Sequence, residues 1–251
     1  MKEAQAKGIA ESDPSFDVGG WDAAQKLAIL STLIFGHRVE VAQIRRESTR
    51  PITKRDIDYA RDFGYVIKPL AIARRVDAEY IDLVVSPFLV PGHDALSSID
   101  YEMNAVSLYF EGAKNPQTLI GEGAGRKPTA RSVVKDIVAV VKSTPESRAS
   151  TYNLFTCAPR DFSGSSGYST SSSYLRLNVD DRPGVLAEVT RILGSRGINI
   201  QTFEQKEEHK ENGAIPVAML LGSTIEKNIA SAMAELNGLS SVHEMLRIRR
   251  K

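Results

Sequence analysis

The sequence has one cysteine, Cys157, among its 251 residues, so it cannot form an internal disulfide bond. It also lacks an excess of charge of either sign, because 32 Lys and Arg stand against 31 Asp and Glu, for a formal net charge of +1. The basic residues are scattered along the chain, and we therefore expect no nucleic-acid or membrane-surface partner. The low cysteine content is typical of a reducing compartment and predicts a cytoplasmic protein.

Long apolar runs are missing as well. The longest one, residues 27–35, is interrupted by Ser31 and Thr32 and is far shorter than the roughly 18 residues that a membrane-spanning helix needs. The N-terminus has no apolar region of the signal-peptide type. The four histidines have no ligand-like spacing to Cys or acid, so we predict no metal site, and Cys157 and His93 are assigned no chemistry.

A dinucleotide-binding fingerprint is also absent. The glycine-rich segment at 121–125 comes nearest to G-x-G-x-x-G, but Arg126 occupies the sixth position and no strand–turn–helix unit with a later acidic residue surrounds it. The sequence therefore lacks the motif that would hold a pyrophosphate at the start of a Rossmann unit.

What the chain does contain falls into two domains. A run of small polar residues with no apolar period at 163–173 has the composition of a flexible tether. We place the boundary there, which gives a first domain at 1–160, a linker at 161–173 and a second domain at 174–251. The hydrophobic content of 42% is sufficient for a core in each.

In the first domain, apolar spacing predicts helices that alternate with strands, and hence a mixed α and β fold. The helices are expected at 22–35, 53–63 and 128–141, and the strands at 66–74, 81–89 and 105–110. Pro128 suits the first turn of its helix. The apolar residues of that helix are predicted to form a buried stripe; they are Val133, Val134, Ile137, Val138 and Val141.

The second domain has the element order βαββαβ, the ferredoxin-like arrangement. Its strands are predicted at 174–179, 198–205, 215–221 and 242–248, its helices at 185–195 and 225–236, and a charged turn at 207–213. A tight turn at 181–184 joins the first strand to the first helix. The fold class predicted for the whole chain is therefore α+β.

The segments DRPGVLAEV at 181–189 and GINI at 197–200 resemble the ACT domain, an amino-acid-sensing module of biosynthetic enzymes, over residues 174 to 251. The resemblance implies an amino-acid effector, threonine being favoured, that meets Asp181, Gly184 and Asn199 at a subunit interface. Glycine at 184 would allow the ligand to approach the backbone closely. The alternative is that these residues only form a turn and begin a strand, and that the module binds no ligand and serves for dimerisation.

Near the N-terminus, Asp22 and Lys26 lie four residues apart and share one face of the predicted helix. By themselves they would form an exposed ion pair worth about 0.2–0.5 kcal/mol. Their surroundings, however, are similar to homoserine dehydrogenase in order and residue type. The matching segments are GIAESDP at 8–14, DVGGWD at 17–22, KLAIL at 26–30, DI at 56–57 with GY at 64–65, and GAGRKPTA at 123–130.

The resemblance covers about residues 1 to 142 and implies the substrate-binding, mixed-sheet part of that enzyme. The implied reaction is NAD(P)-dependent interconversion of L-aspartate 4-semialdehyde and L-homoserine. Lys26 would be the catalytic proton donor, Asp22 would hold Lys26 or bind the substrate hydroxyl, and Glu11 would pair with the substrate ammonium group. The residues that would line the cleft beside the nicotinamide are Gly123, Ala124, Gly125, Pro128 and Thr129.

The family's Rossmann domain has no counterpart in this sequence, so the cofactor would be bound mainly by a part absent from the chain. We expect a homodimer or higher homo-oligomer, with a separate nucleotide-binding chain as a further partner. Two other functions stay open: a non-catalytic amino-acid sensor or dimerisation protein, and a truncated remnant. Two positions depart from the family pattern: Asp94 follows His93 where proline is common, and Tyr101 stands where glycine is usual.

Overall fold

A computed structural model of the chain describes residues 15–77, 80–144, 169–206 and 213–251. Its helices are α1 (Ser15–Val18), α2 (Trp21–Phe35), α3 (Lys54–Asp62), α4 (Arg126–Lys142), α5 (Val185–Ser195) and α6 (Glu226–Asn237). Its strands are β1 (Arg45–Arg46), β2 (Tyr65–Arg75), β3 (Ile81–Pro91), β4 (Met103–Leu108), β5 (Gln117–Glu122), β6 (Thr170–Asp180), β7 (Ile200–Gln205), β8 (Ala214–Ile225) and β9 (Val242–Arg250). Short 3-10 helices lie at Val41–Gln43 and Ala95–Ser98.

Seven strands form one mixed sheet that runs through both halves of the chain. Strand β3 pairs along its whole length with β2, antiparallel, and on its other side it pairs in parallel first with β1 and then with β9. The order continues from β9 through β6 and β8 to β7 in antiparallel pairs. The parallel junction between β3 and β9, where Phe88 faces Arg249 and Leu89 faces Arg250, joins the two halves edge to edge.

The predicted βαββαβ unit is present as β6–α5–β7–β8–α6–β9. One face of its sheet is covered by α5 and α6, and the apolar residues between them form the largest core, which includes Leu177, Val189 and Leu221. The opposite face is also covered, because α3 packs on it and buries Tyr59 against Tyr174 and Ile248. The fold class predicted from the sequence, α+β with a mixed sheet and a ferredoxin-like module, is confirmed.

The linker prediction needs a correction at its C-terminal end. Residues 170–173 belong to β6, which begins four residues before the predicted strand. Ser173 is completely buried and Ser171 donates to a carboxylate, so these small polar residues have structural partners that a search for apolar alternation does not detect. The part of the linker up to residue 168 lies outside the described residues, and the domain division itself stays a prediction.

Strand β5 was not predicted, although it forms a separate two-stranded sheet with β4. The two strands are joined through Ser107 and Thr118, whose hydroxyls lie 2.9 Å apart. Most residues of β5 are exposed, so the strand lacks the burial that creates an apolar alternation.

The predicted buried stripe of α4 is wrong for this chain. The helix forms as expected from Arg126, with Pro128 in its first turn, but none of its residues is buried. Its five stripe valines and isoleucines are between 43% and 74% exposed. Their spacing makes the helix amphipathic, and the described elements do not include a surface that covers the apolar face.

Tyr101, which stands where the family usually has glycine, has an unusual backbone conformation. It has φ of 57°, a left-handed conformation in which a residue with a Cβ is strained by about 1–2 kcal/mol. Among the non-glycine residues that the structure describes, it alone has a positive φ. Glycine would adopt this backbone without strain, which gives a physical reason for the usual residue at this position.

Candidate functional site

The head of helix α2 is fixed by the backbone that precedes it. Gly20 caps the helix in the left-handed conformation, with φ of 73°, and a Cβ there would lie 2.9 Å from a methyl carbon of Val85. Glycine is therefore required both for the turn and for the close approach to β3. The guanidinium carbon of Arg46 lies 3.2 Å from the ring centroid of Trp21, the first helical residue, in a cation–π contact.

The structure brings Asp22 and Lys26 together one turn apart on α2. The Nζ atom of Lys26 lies 2.7 Å from Oδ2 of Asp22, and the two side chains are 58% and 44% exposed. The helix below them is anchored to β2 and β3 through buried Ala24, Leu27 and Ala28. A rigid support thus presents an ammonium group and a carboxylate to the outside of this chain.

The glycine-rich loop between β5 and α4 has a conformation that depends on its glycines. A Cβ on Gly123 would lie 2.1 Å from Nδ2 of Asn104, so any larger residue there would require the exposed Asn104 side chain to move. Gly125 caps α4 with φ of 115°, and Thr129 Oγ1 donates to the Gly125 carbonyl at 2.8 Å. Pro128 lies against Gly125 and supplies the first turn with a fixed φ.

A cavity of about 450 Å³ opens beside this loop. Ala124 and Pro128 line it, together with the cations Arg126, Lys127 and Arg131. These side chains surround the N-terminal end of a 17-residue helix, where unpaired backbone N–H groups favour anions. Two acids, Glu102 and Glu122, line the cavity as well, but the three cations outnumber them, so the site is suited to a polar ligand with a predominantly negative part.

Of the effector residues predicted by resemblance, Asp181 and Gly184 lie in the exposed turn after β6, and Asn199 lies directly before β7. Gly184 has φ of 94°, and no atom lies within 4 Å of where its Cβ would be, which leaves open space above the backbone at the start of α5. Asp181 is exposed and its backbone N–H donates to the Gly213 carbonyl. Asn199 is exposed, and its carbonyl accepts a 2.8 Å hydrogen bond from Gly222 of β8.

Two buried ionic clusters at the junction of the halves were not predicted. In the first, the completely buried Asp56 of α3 accepts hydrogen bonds from Arg176 Nε at 2.6 Å, from Tyr174 Oη at 3.0 Å and from Thr53 Oγ1 at 2.7 Å. A second contact of Arg176 reaches Glu244 at 3.0 Å. This cluster connects helix α3 to strands β6 and β9.

The surroundings of this cluster keep Tyr174 neutral and Arg176 charged. Burial raises the pKa of the Tyr174 hydroxyl far above its ordinary value, and the neighbouring Asp56 carboxylate adds to the effect. Burial alone would lower the pKa of Arg176, but its hydrogen bonds to Glu244 and Asp56 outweigh burial and raise it. The Arg176 guanidinium therefore stays charged and compensates Asp56.

The second cluster surrounds Glu226, the first residue of α6. Arg247 binds both carboxylate oxygens at 2.7 and 3.0 Å, and Ser171 donates to one of them. Arg249 lies between two carboxylates, with 3.2 Å to Glu226 and 2.6 Å to Glu47 of the first half. Burial would raise the pKa of Glu226, but the Arg247 hydrogen bonds and charge outweigh it and hold the pKa well below the ordinary range.

The alternation of residues in β6 indicates on which face Tyr174 and Arg176 of the first cluster lie, but not that this face is buried. In β6, Leu175, Leu177 and Val179 face one core, while Tyr174 and Arg176 alternate with them on the other face. An arginine at such a position is ordinarily assigned to solvent. Only the covering of that face by α3, a long-range feature, makes it a buried partner.

Glu11 lies outside the described residues, as do Cys157 and the charged turn at 207–212. In the described part, no group of three or more His, Cys, Asp and Glu side chains could hold a metal ion. None of the described helices is long and apolar enough to cross a membrane. The predicted site residues that the structure describes thus form three groups: Asp22 with Lys26, the glycine loop, and the turn at 181–184 of the second half together with Asn199.

The fold and these groups define a two-part α+β protein in which a mixed-sheet unit is joined to a βαββαβ module. A model of the family described as homoserine dehydrogenase matches residues 1–138, and one described as ACT domain matches residues 173–239. Since the first model covers more than half of the chain, the chain belongs to the homoserine dehydrogenase family, with an ACT domain after the segment that this model matches.

Relatives match over the whole chain. A homoserine dehydrogenase of Pseudomonas aeruginosa is 39% identical over 99% of this chain, and one of Bacillus subtilis is 34% identical over 98%. The crystal structure of a homoserine dehydrogenase from Thiobacillus denitrificans has a TM-score of 0.81 and 36% identity over 100% of the chain. The chain spans 58%, 56% and 57% of the lengths of these three proteins, respectively.

Proposed function

We propose that this chain provides the substrate-binding and regulatory part of a homoserine dehydrogenase, which interconverts L-aspartate 4-semialdehyde and L-homoserine in threonine and methionine biosynthesis. The observation that carries the proposal is the 2.7 Å pair of Lys26 and Asp22, presented together on the family's matched segment. Cytoplasm is the proposed location, in keeping with the amino-acid chemistry.

The proposed chemistry needs a proton and a positive charge at one oxygen. A nicotinamide cofactor supplies the hydride when it is bound. Reduction of the aldehyde places negative charge on the carbonyl oxygen, and the Nζ atom of Lys26 stabilises that charge and donates the proton. Asp22 orients the ammonium group through the ion pair, or binds the substrate hydroxyl itself. Glu11 is proposed to pair with the substrate ammonium group.

The residues beside the glycine loop fit the anionic part of such a cofactor. Arg126, Lys127 and Arg131 provide positive charge around the cavity, and the N-terminal N–H groups of α4 face the same region. We propose that Gly123, Ala124, Gly125, Pro128 and Thr129 form the cofactor-proximal wall of the cleft. The rest of the cofactor would be bound by a nucleotide-binding unit outside this chain.

The exposed apolar face of α4 supports the proposed need for such a partner. A contiguous row of Val133, Val134, Ile137, Val138 and Val141 is larger than the scattered apolar exposure of an ordinary surface. We propose that the nucleotide-binding unit covers this face, whether it is supplied by another chain or by a longer form of this one. Homodimerisation is proposed in addition, through the first domain's sheet.

The direct test is homoserine-dependent reduction of NAD and of NADP by the purified chain, alone and mixed with a separately expressed Rossmann half. We expect activity only in the mixture, because the chain contains the proton donor but not the dinucleotide motif. Absence of activity in both, with correctly folded components shown by circular dichroism, would contradict the dehydrogenase and favour the second candidate, a non-catalytic amino-acid sensor.

The sensor candidate has its own supporting observation, the open backbone above Gly184. In either candidate, we propose that an amino acid, with threonine favoured, binds at Asp181, Gly184 and Asn199. This site lies at the positive end of α5, where N–H groups can meet a carboxylate.

We expect Gly184→Asp to abolish binding of L-threonine, because its side chain would occupy the open space and place a negative charge where the ligand carboxylate must lie. The measurement is isothermal titration calorimetry. Gly64→Asp is the matched control, since Gly64 also has a positive φ, 81°, and open space at its Cβ but belongs to the first half. Both variants carry similar backbone strain, so unaltered binding by Gly184→Asp would place the effector elsewhere.

A further inference from the structure

A series of contacts leads from Asn199, one of the proposed effector residues, to helix α6. The Asn199 carbonyl accepts a 2.8 Å hydrogen bond from the backbone of Gly222. Four residues further along the chain, strand β8 has ended and α6 begins with Glu226. A ligand that displaces Asn199 therefore acts on the strand that leads directly into Glu226.

The next contacts cross between the halves of the chain. Arg249 is only 5% exposed and its guanidinium bridges two carboxylates, Glu226 of the ACT domain and Glu47 of the catalytic part. A planar guanidinium that binds a carboxylate on each side fixes their relative positions more strictly than a lysine would. Arg247 also binds Glu226. Its other hydrogen bonds go to Ser171 and Ser173, which belong to the ACT half as well.

The last contacts reach the site. Glu47 follows Arg46 directly in the chain and is held to β3 by a 2.8 Å hydrogen bond from its N–H to the Val85 carbonyl. Arg46 in turn lies 3.2 Å from the ring of Trp21. Trp21 begins the helix, directly before Asp22, so a shift at Glu47 is passed to the end of α2 that carries the site pair.

We propose that Arg249 is a positioning residue that couples the effector residues of the ACT domain to the Asp22–Lys26 pair. The coupling passes through Glu226, Glu47, Arg46 and Trp21. The inference rests on the proposed function and adds the route of its regulation. Effector binding alters the position of Glu226, Arg249 follows, and the Glu47–Arg46 segment changes its contact with Trp21. Coupling along this route is measured as an interaction between distant positions.

Trp21 is the only tryptophan of the chain and reports directly on this route. In the purified full chain without ligand, we expect Glu226→Gln to change the emission wavelength and acrylamide quenching of Trp21. Glu235→Gln is the matched control, because Glu235 also lies on α6 and binds Arg196 at 3.0 Å, away from Arg249. If Glu226→Gln does not fold, Ser171→Ala removes one donor from the same carboxylate instead.

The second change of the cycle is Glu47→Gln, which removes the charge that Arg249 binds on the side opposite Glu226. Glu47 is only partly buried, so this variant should fold. In that background, we expect Glu226→Gln to lose its effect on Trp21, as a double-mutant cycle requires of coupled positions. An unchanged effect in the Glu47→Gln background, or no effect of Glu226→Gln on Trp21 at all, would overturn the Arg249 route.

A second arm separates this route from the effector assignment. Calorimetry with L-threonine measures binding, and Trp21 emission measures transmission. We expect the unmodified chain to show both, and Glu47→Gln to bind L-threonine without the emission change. A Trp21 response that survives in Glu47→Gln overturns the route, whereas absence of L-threonine binding with an intact double-mutant cycle overturns only the effector proposed above.

Discussion

Replacement of Lys26 by alanine is expected to lower kcat of the reconstituted dehydrogenase by about 10²–10⁴-fold, the usual contribution of a positioned general acid. The change removes the atom proposed to donate the proton. It should alter KM little, because the loss concerns an interaction that strengthens as charge develops on the substrate oxygen. Steady-state kinetics of homoserine oxidation and of semialdehyde reduction would measure both constants.

Because Lys26 is exposed, its replacement should lower catalysis without lowering the stability of the fold. A side chain that is 58% exposed in an i,i+4 pair contributes only about 0.2–0.5 kcal/mol to helix stability, so the variant should unfold at nearly the same urea concentration as the unmodified chain. Arg61→Ala is a suitable control, because Arg61 is also exposed on a helix and pairs with Asp58 at 3.7 Å. Equal losses in kcat and in substrate binding would show that Lys26 only binds the substrate.

The sequence was sufficient to predict elements whose apolar residues pack within the chain. Helix α5 has the predicted bounds, because Val185, Val189 and Ile192 contact one core at helical spacing. Helix α2 begins one residue before its predicted start, since the left-handed Gly20 determines where the preceding turn ends. In both cases local residues decide the structure, and the sequence contains them all.

Other features depend on what lies opposite a surface. The valines of α4 have the spacing of a buried stripe, yet they are exposed, because periodicity records which side is apolar and not whether the same chain covers it. The reverse holds for Arg176, whose polar side chain is buried by a helix more than a hundred residues away in sequence. Neither outcome can be derived without the tertiary arrangement.

In the candidate site, too, local spacing predicts some features, whereas others depend on the family resemblance or on the tertiary structure. The pairing of Asp22 with Lys26 follows from their spacing and is observed. The roles of Lys26, Gly184 and the glycine loop came from the family resemblance and stay predictions. Sequence reasoning did not identify the link between Glu226 and Glu47, because it requires the parallel pairing of β3 with β9, two strands separated by most of the chain.

We expect Arg176→Met to lower the free energy of unfolding by about 3–5 kcal/mol, because it leaves the completely buried Asp56 carboxylate without a compensating charge. Tyr174 and Thr53 would still donate hydrogen bonds, but neither neutralises the charge. Urea unfolding followed by circular dichroism gives the value. Arg182→Met is the control, since the Arg182–Asp180 pair is exposed and its loss should change the free energy of unfolding little.

The double variant Arg176→Met with Asp56→Asn should recover much of the loss, because the penalty comes from an unpaired buried charge and not from the missing ion pair itself. Similar small losses in Arg176→Met and Arg182→Met would contradict this account. The cluster also joins helix α3 of the catalytic part to β6 of the ACT domain. The unpaired charge of the single variant therefore lies at the contact between the two halves, and its removal in the double variant should restore stability there.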